Sequence, residues 1–255
     1  MEGMSPALRR VRRTLIASAV VLVLAVVAFL FYSSMVMAGD RAAAIRAWEN
    51  PAVSIRSTDH SIILQPTGVA SGAGLVFIPG AKVDPYAYLY KLSGIVESSG
   101  ATVVITKPIL NLAFFDQRPL SLFERDAPAI TRWFVGGHSL GGVRACQLAA
   151  SPGEGAEVAG LVLFGSYCAN DLSDSNLEVL SIGGSEDGLS TPEKIDAASS
   201  LLPEQANLVQ VEGLNHAGFG DYGVQPGDGV ARLSSEQERT MITDLLGSVL
   251  TMNVR

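Results

Sequence analysis

Apolar and polar residues alternate at positions 53–57 and 61–65, and a polar segment, 58–60, separates the two stretches. Alternation with a period of two predicts strands with one buried face, so we expect an antiparallel hairpin at a sheet edge. Further along, the pattern changes to short, continuous apolar runs, which are typical of strands buried on both faces. These runs lie at 74–78, 102–106, 133–136, 158–164, 177–182 and 208–211.

Segments with helical signals lie between these runs. Asp84 and Pro85 provide a cap and a first-turn proline, and Gly100 ends the same helix. The helices are expected at 85–98, 120–130, 140–150, 192–202 and 234–250. Alternating strands and helices predict an α/β fold in a single domain, residues 51–255. Its mostly parallel sheet would be covered by helices on both faces.

Residues 14–38 carry no charge. Four arginines precede this segment, namely Arg9, Arg10, Arg12 and Arg13. A helix over 14–38 would be about 37 Å long at ~1.5 Å per residue, which is enough to cross a bilayer. We therefore predict a transmembrane helix at 14–38, a basic cytoplasmic tail at 1–13, and a short helical stalk at 39–50 that leads to the domain.

A cleaved secretory signal is the alternative for the same segment. The apolar core of such a signal is typically about 7–15 residues long. The stretch 15–32 is longer, which favours an uncleaved anchor, although residues 36–38 resemble a cleavage site. Both alternatives place the domain outside the cytoplasm, either attached to the cell membrane by a single pass or secreted.

Charge and cysteine content limit the classes of partner. The chain has a net charge of −7, and the excess of acidic residues lies in the part after residue 38. An acidic domain argues against nucleic acid binding, so the expected partners are a small-molecule substrate and the lipid bilayer. No cluster of metal ligands is found, and we predict neither a metal nor a cofactor.

The two cysteines, Cys146 and Cys168, would form one disulfide in an exported protein or remain two buried thiols.

The segment Gly137-His138-Ser139-Leu140-Gly141 contains the pattern Gly-x-Ser-x-Gly between an apolar run and a predicted helix. A sharp turn from strand to helix would raise Ser139 clear of the sheet, with its hydroxyl near the positive end of the helix. We predict that Ser139 is a nucleophile.

A serine hydroxyl needs a neighbouring base, which is usually an imidazole. The chain has three histidines, of which His60 lies in the edge hairpin and His138 adjoins the serine. His216 directly follows the last predicted strand, at the sheet edge where the chemistry of open α/β sheets takes place. His216 is therefore the predicted base.

The imidazole in turn needs an acid, which should follow the preceding strand. Asp187 lies there, next to Gly188, and is our first choice. Glu186 is the nearest alternative, and Asp171 and Asp174 are more distant ones.

Two donors should face the oxyanion of the tetrahedral intermediate. We predict the backbone N–H groups of Leu140 and of Ala81, because Gly80 lets the backbone approach closely. Lys82, His138 and Tyr222 are candidates to line the substrate site. For Lys82 we favour a charge at the rim, and for Tyr222 a simple packing role is an equal alternative.

These motifs resemble the α/β-hydrolase superfamily. The likeness rests on the serine motif 137–142, on Asp187, and on the histidine segment 215–223, with further support from 79–85 and 111–116. It covers residues 50–250 and is closest to small bacterial members of the fold-5 type, which are similar to dienelactone hydrolases. The nucleophile here is serine rather than the cysteine of dienelactone hydrolases, so a lactone substrate is not carried over.

The sequence therefore predicts a membrane-anchored serine hydrolase, a carboxylesterase that forms an acyl-enzyme. Only about a dozen residues separate the strands that end at 164 and begin at 177, so no sizeable lid fits. An open site favours small or medium acyl esters. A thioesterase or peptidase would use the same triad, and a non-catalytic surface protein that binds a ligand or partner is the alternative from another class.

Overall fold

The computed structural model describes residues 5–153 and 157–251; the ends of the predicted basic tail and of the predicted domain lie outside this range. Eight strands form one sheet in the order β1-β2-β4-β3-β5-β6-β7-β8. β1 and β2 form an antiparallel hairpin, β2 also pairs antiparallel with β4, and all other neighbours are parallel. The strands are β1 (Val53–Ser57), β2 (Ser61–Pro66), β3 (Ala73–Ile78), β4 (Thr102–Thr106), β5 (Arg132–His138), β6 (Val158–Phe164), β7 (Glu178–Gly184) and β8 (Asn207–Val211).

Helices cover both faces of this sheet, and the predicted α/β class is confirmed. The helices are α1 (Pro6–Ser34), α2 (Arg41–Trp48), α3 (Leu89–Ser99), α4 (Leu120–Glu124), α5 (Leu140–Ala150), α6 (Pro192–Ala197) and α7 (Ser235–Leu250). Successive strand residues point to opposite faces, so Leu75 and Phe77 join the core under α3 and α7, whereas Val76 and Ile78 join the core under α4 and α5.

The helix expected at 85–98 begins as a 3-10 turn, Pro85–Tyr88, before α3, and two other predicted helices end earlier than their apolar patterns indicated. The helix expected at 120–130 ends at Glu124, and a proline at position 128 prevents its continuation. The helix expected at 192–202 ends at Ala197 and continues as a separate 3-10 turn, Ser199–Leu201, before Pro203.

The N-terminal helix differs from its predicted bounds at both ends. α1 begins at Pro6, after a cap by the Ser5 side chain, and ends at Ser34 rather than at residue 38. Beyond it the chain is extended, because Met37 forms a parallel bridge with Val83 in the loop after β3. The Met37 N–H donates to the Lys82 carbonyl (2.7 Å), so tertiary hydrogen bonds replace the last helical turn.

The predicted stalk is part of the folded domain. Asp40 caps α2, and its backbone N–H donates to the Asp221 carbonyl. Ala43 and Ala47 are buried in the core beside α3. Residues 39–50 are thus not a free spacer, since a helix with one buried apolar stripe is held by the surface that it covers.

A disulfide joins Cys146 of α5 to Cys168 in the loop after β6, with a Cα–Cα distance of 5.6 Å. Both residues are buried. The bond fixes the helix that follows Ser139 to the carboxyl edge of the neighbouring strand.

Candidate active site

Ser139 lies at the turn between β5 and α5, in a backbone conformation that side chains rarely adopt (φ 53°, ψ −125°). Two hydrogen bonds hold it there. The Ser139 N–H donates to the Phe164 carbonyl (3.0 Å), and the Ser166 hydroxyl donates to the Ser139 carbonyl (2.7 Å). A strained residue persists only where its surroundings enforce it, and such residues cluster at functional sites.

Glycines on either side permit this turn. A Cβ atom at Gly137 would lie 2.5 Å from the carbonyl carbon of Gly141, and one at Gly141 would lie 2.1 Å from the Ile78 oxygen. No larger residue fits at these distances. The two glycines therefore let α5 start directly against the ends of β3 and β5, with Ser139 at the tip and partly exposed.

Asp187 and His216 form a buried pair. Asp187 Oδ2 lies 2.8 Å from His216 Nδ1, and both side chains are fully buried. Asp187 Oδ1 accepts from the backbone N–H groups of Leu189 (2.8 Å) and Ser190 (2.7 Å), so the carboxylate is fixed in orientation. When the Nδ1–H group donates to the Asp187 carboxylate, the neutral imidazole keeps a lone pair on Nε2.

The other candidate acids lie elsewhere. Glu186 pairs with Arg232 at the surface. Asp171 and Asp174 line a separate cavity beside Ala149 and Ala150, at the opposite end of α5 from Ser139.

Gly165 lies directly against the Asp187–His216 pair. A Cβ atom at this position would lie 2.8 Å from Asp187 Oδ2 and 3.1 Å from His216 Nδ1. Gly165 directly follows Phe164, which binds the Ser139 N–H. Within the described part of the chain, neither the Ser139 hydroxyl nor His216 Nε2 makes a hydrogen bond, and the two are not bonded to each other. Such bonds are often long in free enzymes and shorten when substrate binds.

His138 does not line a substrate surface, contrary to the sequence-based expectation. Its ring is fully buried, with Nδ1 2.9 Å from the Tyr88 hydroxyl. The same hydroxyl accepts from the Gly80 N–H (3.0 Å), so it links His138 to the loop after β3. Burial, and secondarily the nearby His216, lower the pKa of His138 well below its usual value. A neutral His138 thus packs against the predicted base, with ring centroids 4.4 Å apart.

The two predicted oxyanion donors are free among residues 5–153 and 157–251. Leu140 is the first residue of α5, and a first-turn N–H has no partner within its helix. The Ala81 N–H makes no hydrogen bond either, whereas its neighbour Lys82 donates to the Asn111 carbonyl (2.8 Å). The Lys82 ammonium lies over the Tyr32 ring of α1, 3.5 Å from its centroid, so it contacts the N-terminal helix rather than standing free at the rim.

Tyr222 packs near His138 rather than lining an open surface. It is 8% exposed, its hydroxyl donates to Gln225 (2.9 Å), and burial raises its pKa. Its ring centroid is 6.2 Å from that of His138. These contacts agree with a packing role for Tyr222, the alternative to a substrate-lining role.

Sequence reasoning did not identify Tyr88 or Asp228. Asp228 Oδ1 accepts from the backbone N–H groups of His216 and Gly188, both at 3.1 Å, and its Oδ2 accepts from Ala217 (2.8 Å). Asp228 therefore connects the loop that bears the histidine to the turn that bears Asp187. No motif marks these residues, because each acts through contacts with distant segments.

The described residues contain no group of three or more histidine, cysteine, aspartate or glutamate side chains that is placed to hold a metal ion. The chemistry available here is that of a hydroxyl, an imidazole, a carboxylate and two free N–H groups.

Residues 74–240 match the model of the Alpha/beta hydrolase family. No curated protein matches the chain. Among solved structures it is similar to XC6422 from Xanthomonas campestris, described as an a/b serine hydrolase without lid (14% identity, TM-score 0.55, covering 80% of this chain and 98% of that one). It is also similar to the esterase domain of a Rhodothermus marinus protein (12%, 0.53, 77% and 96%) and to a bacterial membrane phospholipase A (14%, 0.54, 94% and 100%). At these identities the likeness establishes the fold.

Proposed function

The chain belongs to the alpha/beta hydrolase family, as its motifs predict, and on that basis we propose that it is a serine carboxylesterase. The proposal names Ser139 as nucleophile, His216 as base and Asp187 as acid. The observation that supports it is a strained serine at the tip of a strand-to-helix turn, together with a buried imidazole whose Nδ1 is bound by a fixed carboxylate and whose ring packs on His138, the residue before the serine. This arrangement serves nucleophilic catalysis.

The proposed reaction is acyl transfer to water. Ser139 Oγ attacks the ester carbonyl carbon while its proton passes to His216 Nε2, and Asp187 stabilises the imidazolium. The N–H groups of Ala81 and Leu140 stabilise the oxyanion. The carbon–oxygen bond to the alcohol then breaks, and the alcohol takes the proton from His216. Water, activated by the same imidazole, attacks the acyl-enzyme and releases the acid and Ser139.

Among water-soluble esters, the substrates proposed are those of small or medium acyl groups. Between β6 and β7 the described chain forms only turns, so no helical lid covers the serine. A water-soluble long-chain ester would need a covered apolar groove on the protein, which such a short connection does not supply.

The N-terminal helix is proposed as a membrane anchor. α1 is the one helix, among the described residues, that is long and apolar enough to cross a membrane, and its apolar side chains are exposed. Its arginines lie at the N-terminal end, which favours a cytoplasmic N-terminus and an external domain. The disulfide is typical of an oxidising compartment outside the cytoplasm. The contact of Ser33 with the domain favours a retained helix over a cleaved signal.

A fluorophosphonate probe on the purified full chain tests the proposed chemistry. We expect labelling of Ser139 that is lost in Ser139→Ala, since the probe reacts with activated serines. A folded protein that is not labelled would contradict the enzyme and favour the non-catalytic binding protein. Parallel assays with p-nitrophenyl esters, thioesters and anilides of one acyl group separate an esterase from a thioesterase or peptidase.

A further inference from the structure

The end of α1 binds the loops that border the candidate active site. Asn111 Nδ2 donates to the Ser33 carbonyl (3.0 Å), and the Asn111 carbonyl accepts from the Lys82 N–H. Met37 pairs with Val83 one residue further on. The apolar helix is therefore attached to the loop that contains Ala81, the proposed oxyanion donor.

An exposed apolar surface continues from this helix onto the loop after β4. We call it the interfacial patch; it consists of Ile109, Phe114 and Phe115, which are 46%, 64% and 45% exposed. The Phe115 ring meets Phe29 of α1 edge-on, with centroids 5.7 Å apart. Water-exposed phenylalanines that adjoin an apolar helix indicate contact with lipid rather than with solvent.

The position of the interfacial patch along α1 matches the expected edge of the hydrocarbon core. Residues 14–34 are the uncharged part of α1, roughly 31 Å long at ~1.5 Å per residue, which matches a hydrocarbon core of about 30 Å. Phe29 lies five residues before the end at Ser34, about 7 Å inside the boundary. Tyr32, with the Lys82 ammonium over its ring, lies closer to the end, where tyrosine and lysine side chains favour the headgroup region.

The same patch lies on the edge of the sheet that carries the nucleophile. The turn Ala113–Phe115 packs against α5, the helix that begins directly after Ser139. The loops after β3, β4 and β5 all leave the carboxyl edge of the parallel sheet. The rim of the site that holds Ser139 therefore borders the membrane surface.

We propose that the substrate is an ester lipid of the adjacent leaflet, which reaches Ser139 from the bilayer rather than from water. This inference rests on the serine esterase and on the membrane anchor proposed above. The interfacial patch holds the domain against the lipid surface. The bilayer itself then surrounds the rest of the acyl chain, so the protein needs neither a lid nor a long covered groove. The products are a fatty acid and the corresponding alcohol, in the same hydrolysis as above.

The test uses the full chain reconstituted into dioleoylphosphatidylcholine vesicles. Fatty acid release from the vesicle lipid is compared with turnover of water-soluble p-nitrophenyl butyrate by the same sample. We expect both activities to require Ser139. In the double variant Phe114→Ser, Phe115→Ser, the ratio of lipid to soluble-ester turnover should fall by roughly tenfold or more, because the exposed parts of the two rings together amount to about one phenyl ring.

Val69→Ser is the matched control. Val69 is 93% exposed but lies before β3, at the opposite edge of the sheet, so the ratio should not change. Turnover of the soluble ester without release of fatty acid, or an unchanged ratio in the double variant, would overturn the inference and leave the esterase standing. Absence of Ser139-dependent turnover of either substrate would instead refute the proposed function, and the inference with it.

A second measurement does not depend on activity. A tryptophan introduced by Phe114→Trp should be quenched by lipids that are brominated on their acyl chains, because the patch lies in the membrane boundary. One introduced by Val69→Trp should not be quenched. The fluorescence of the native tryptophans is subtracted as background. Equal quenching of the two introduced tryptophans would then refute the placement of the patch.

Discussion

Single side chains adjust the candidate site through contacts that no motif displays. The Tyr88 hydroxyl accepts from the Gly80 N–H and is hydrogen-bonded to His138 Nδ1, so it connects the loop of the proposed oxyanion donor to a ring that packs on His216. Tyr88 is a positioning residue, since it touches neither the nucleophile nor the acid. Its hydroxyl affects the proposed oxyanion donor because it fixes the position of Gly80 and, with it, that of Ala81.

Tyr88→Phe should lower kcat about tenfold and change KM little, because a misplaced oxyanion donor weakens transition-state binding selectively. Stability should fall by about 1–2 kcal/mol, since the Gly80 N–H loses its partner. Kinetics with a soluble ester and urea unfolding measure the two effects. Tyr90→Phe is the control, because the Tyr90 hydroxyl contacts Arg46 and Glu236 instead. Equal kinetic effects of the two variants would exclude a positioning role.

His138 should make the fold sensitive to mild acid. Its pKa is well below the usual 6.5 in the folded state because the ring is buried, so below pH 6.5 the unfolded chain binds more protons. The free energy of unfolding should then fall as pH decreases from 6.5, by up to about 1.4 kcal/mol per pH unit.

His138→Asn retains an acceptor for Tyr88 and removes the titrating ring. Unfolding measured from pH 7 to pH 5 should therefore be less steep with pH in this variant than in the natural chain. Identical slopes in the two proteins would show that His138 does not carry the effect.

At the scale of elements, the start of α5 and the ends of β3, β5 and β6 determine where the nucleophile lies. Gly137 and Gly141 bring the helix against the strands, and the disulfide fixes the middle of α5 to the loop after β6. The edge of the sheet is thereby rigid, whereas the histidine comes from a loop that depends on Asp228. Rigid elements thus supply the serine, and a hydrogen-bonded loop supplies the base.

The disulfide should contribute about 3 kcal/mol to stability, as expected for a bond that closes a loop with a sequence separation of 22 residues. The double variant Cys146→Ser, Cys168→Ser should lose this amount in denaturant unfolding. A reductant should destabilise the natural chain and leave the double variant unchanged. A natural chain that is insensitive to reductant, with its thiols shown to be free, would contradict the prediction.

At the scale of the whole molecule, the N-terminal helix and the domain form a continuous structure. The extended residues after α1 pair with the loop after β3, and α2 packs into the core beside α3. A free linker would let the domain move relative to the membrane, whereas these contacts hold the Ser139 edge next to the helix end.

The retained anchor predicts a membrane-bound product of full size. After expression in a bacterial host, the chain should stay in the membrane pellet under alkaline carbonate and have a mass of 26.8 kDa. Protease added to intact spheroplasts should digest the domain, since it is expected outside. A shorter, soluble species in the periplasm would show instead that the segment is a cleaved signal.

The sequence alone predicted the fold class and the position of every strand, because alternating and continuous apolar runs reflect burial directly. It also drew attention to Ser139, Asp187 and His216, since the strand-end positions of a parallel sheet meet at one edge. Helix lengths were less accurate where Pro128 and Pro203 follow, and the packing of the segment 39–50 against the domain was not predicted because its short apolar stripe did not reveal the surface that covers it.

Local periodicity and the order of the motifs thus determined the architecture and the candidate chemistry of this protein. Only the tertiary structure decided which polar groups surround that chemistry. Tyr88, Asp228 and the buried orientation of His138 arise from contacts between segments far apart in the chain, and so does the docking of α1 beside the loop after β3. Such contacts leave no periodic signal in the sequence, because each depends on the packing of elements that must first be folded together.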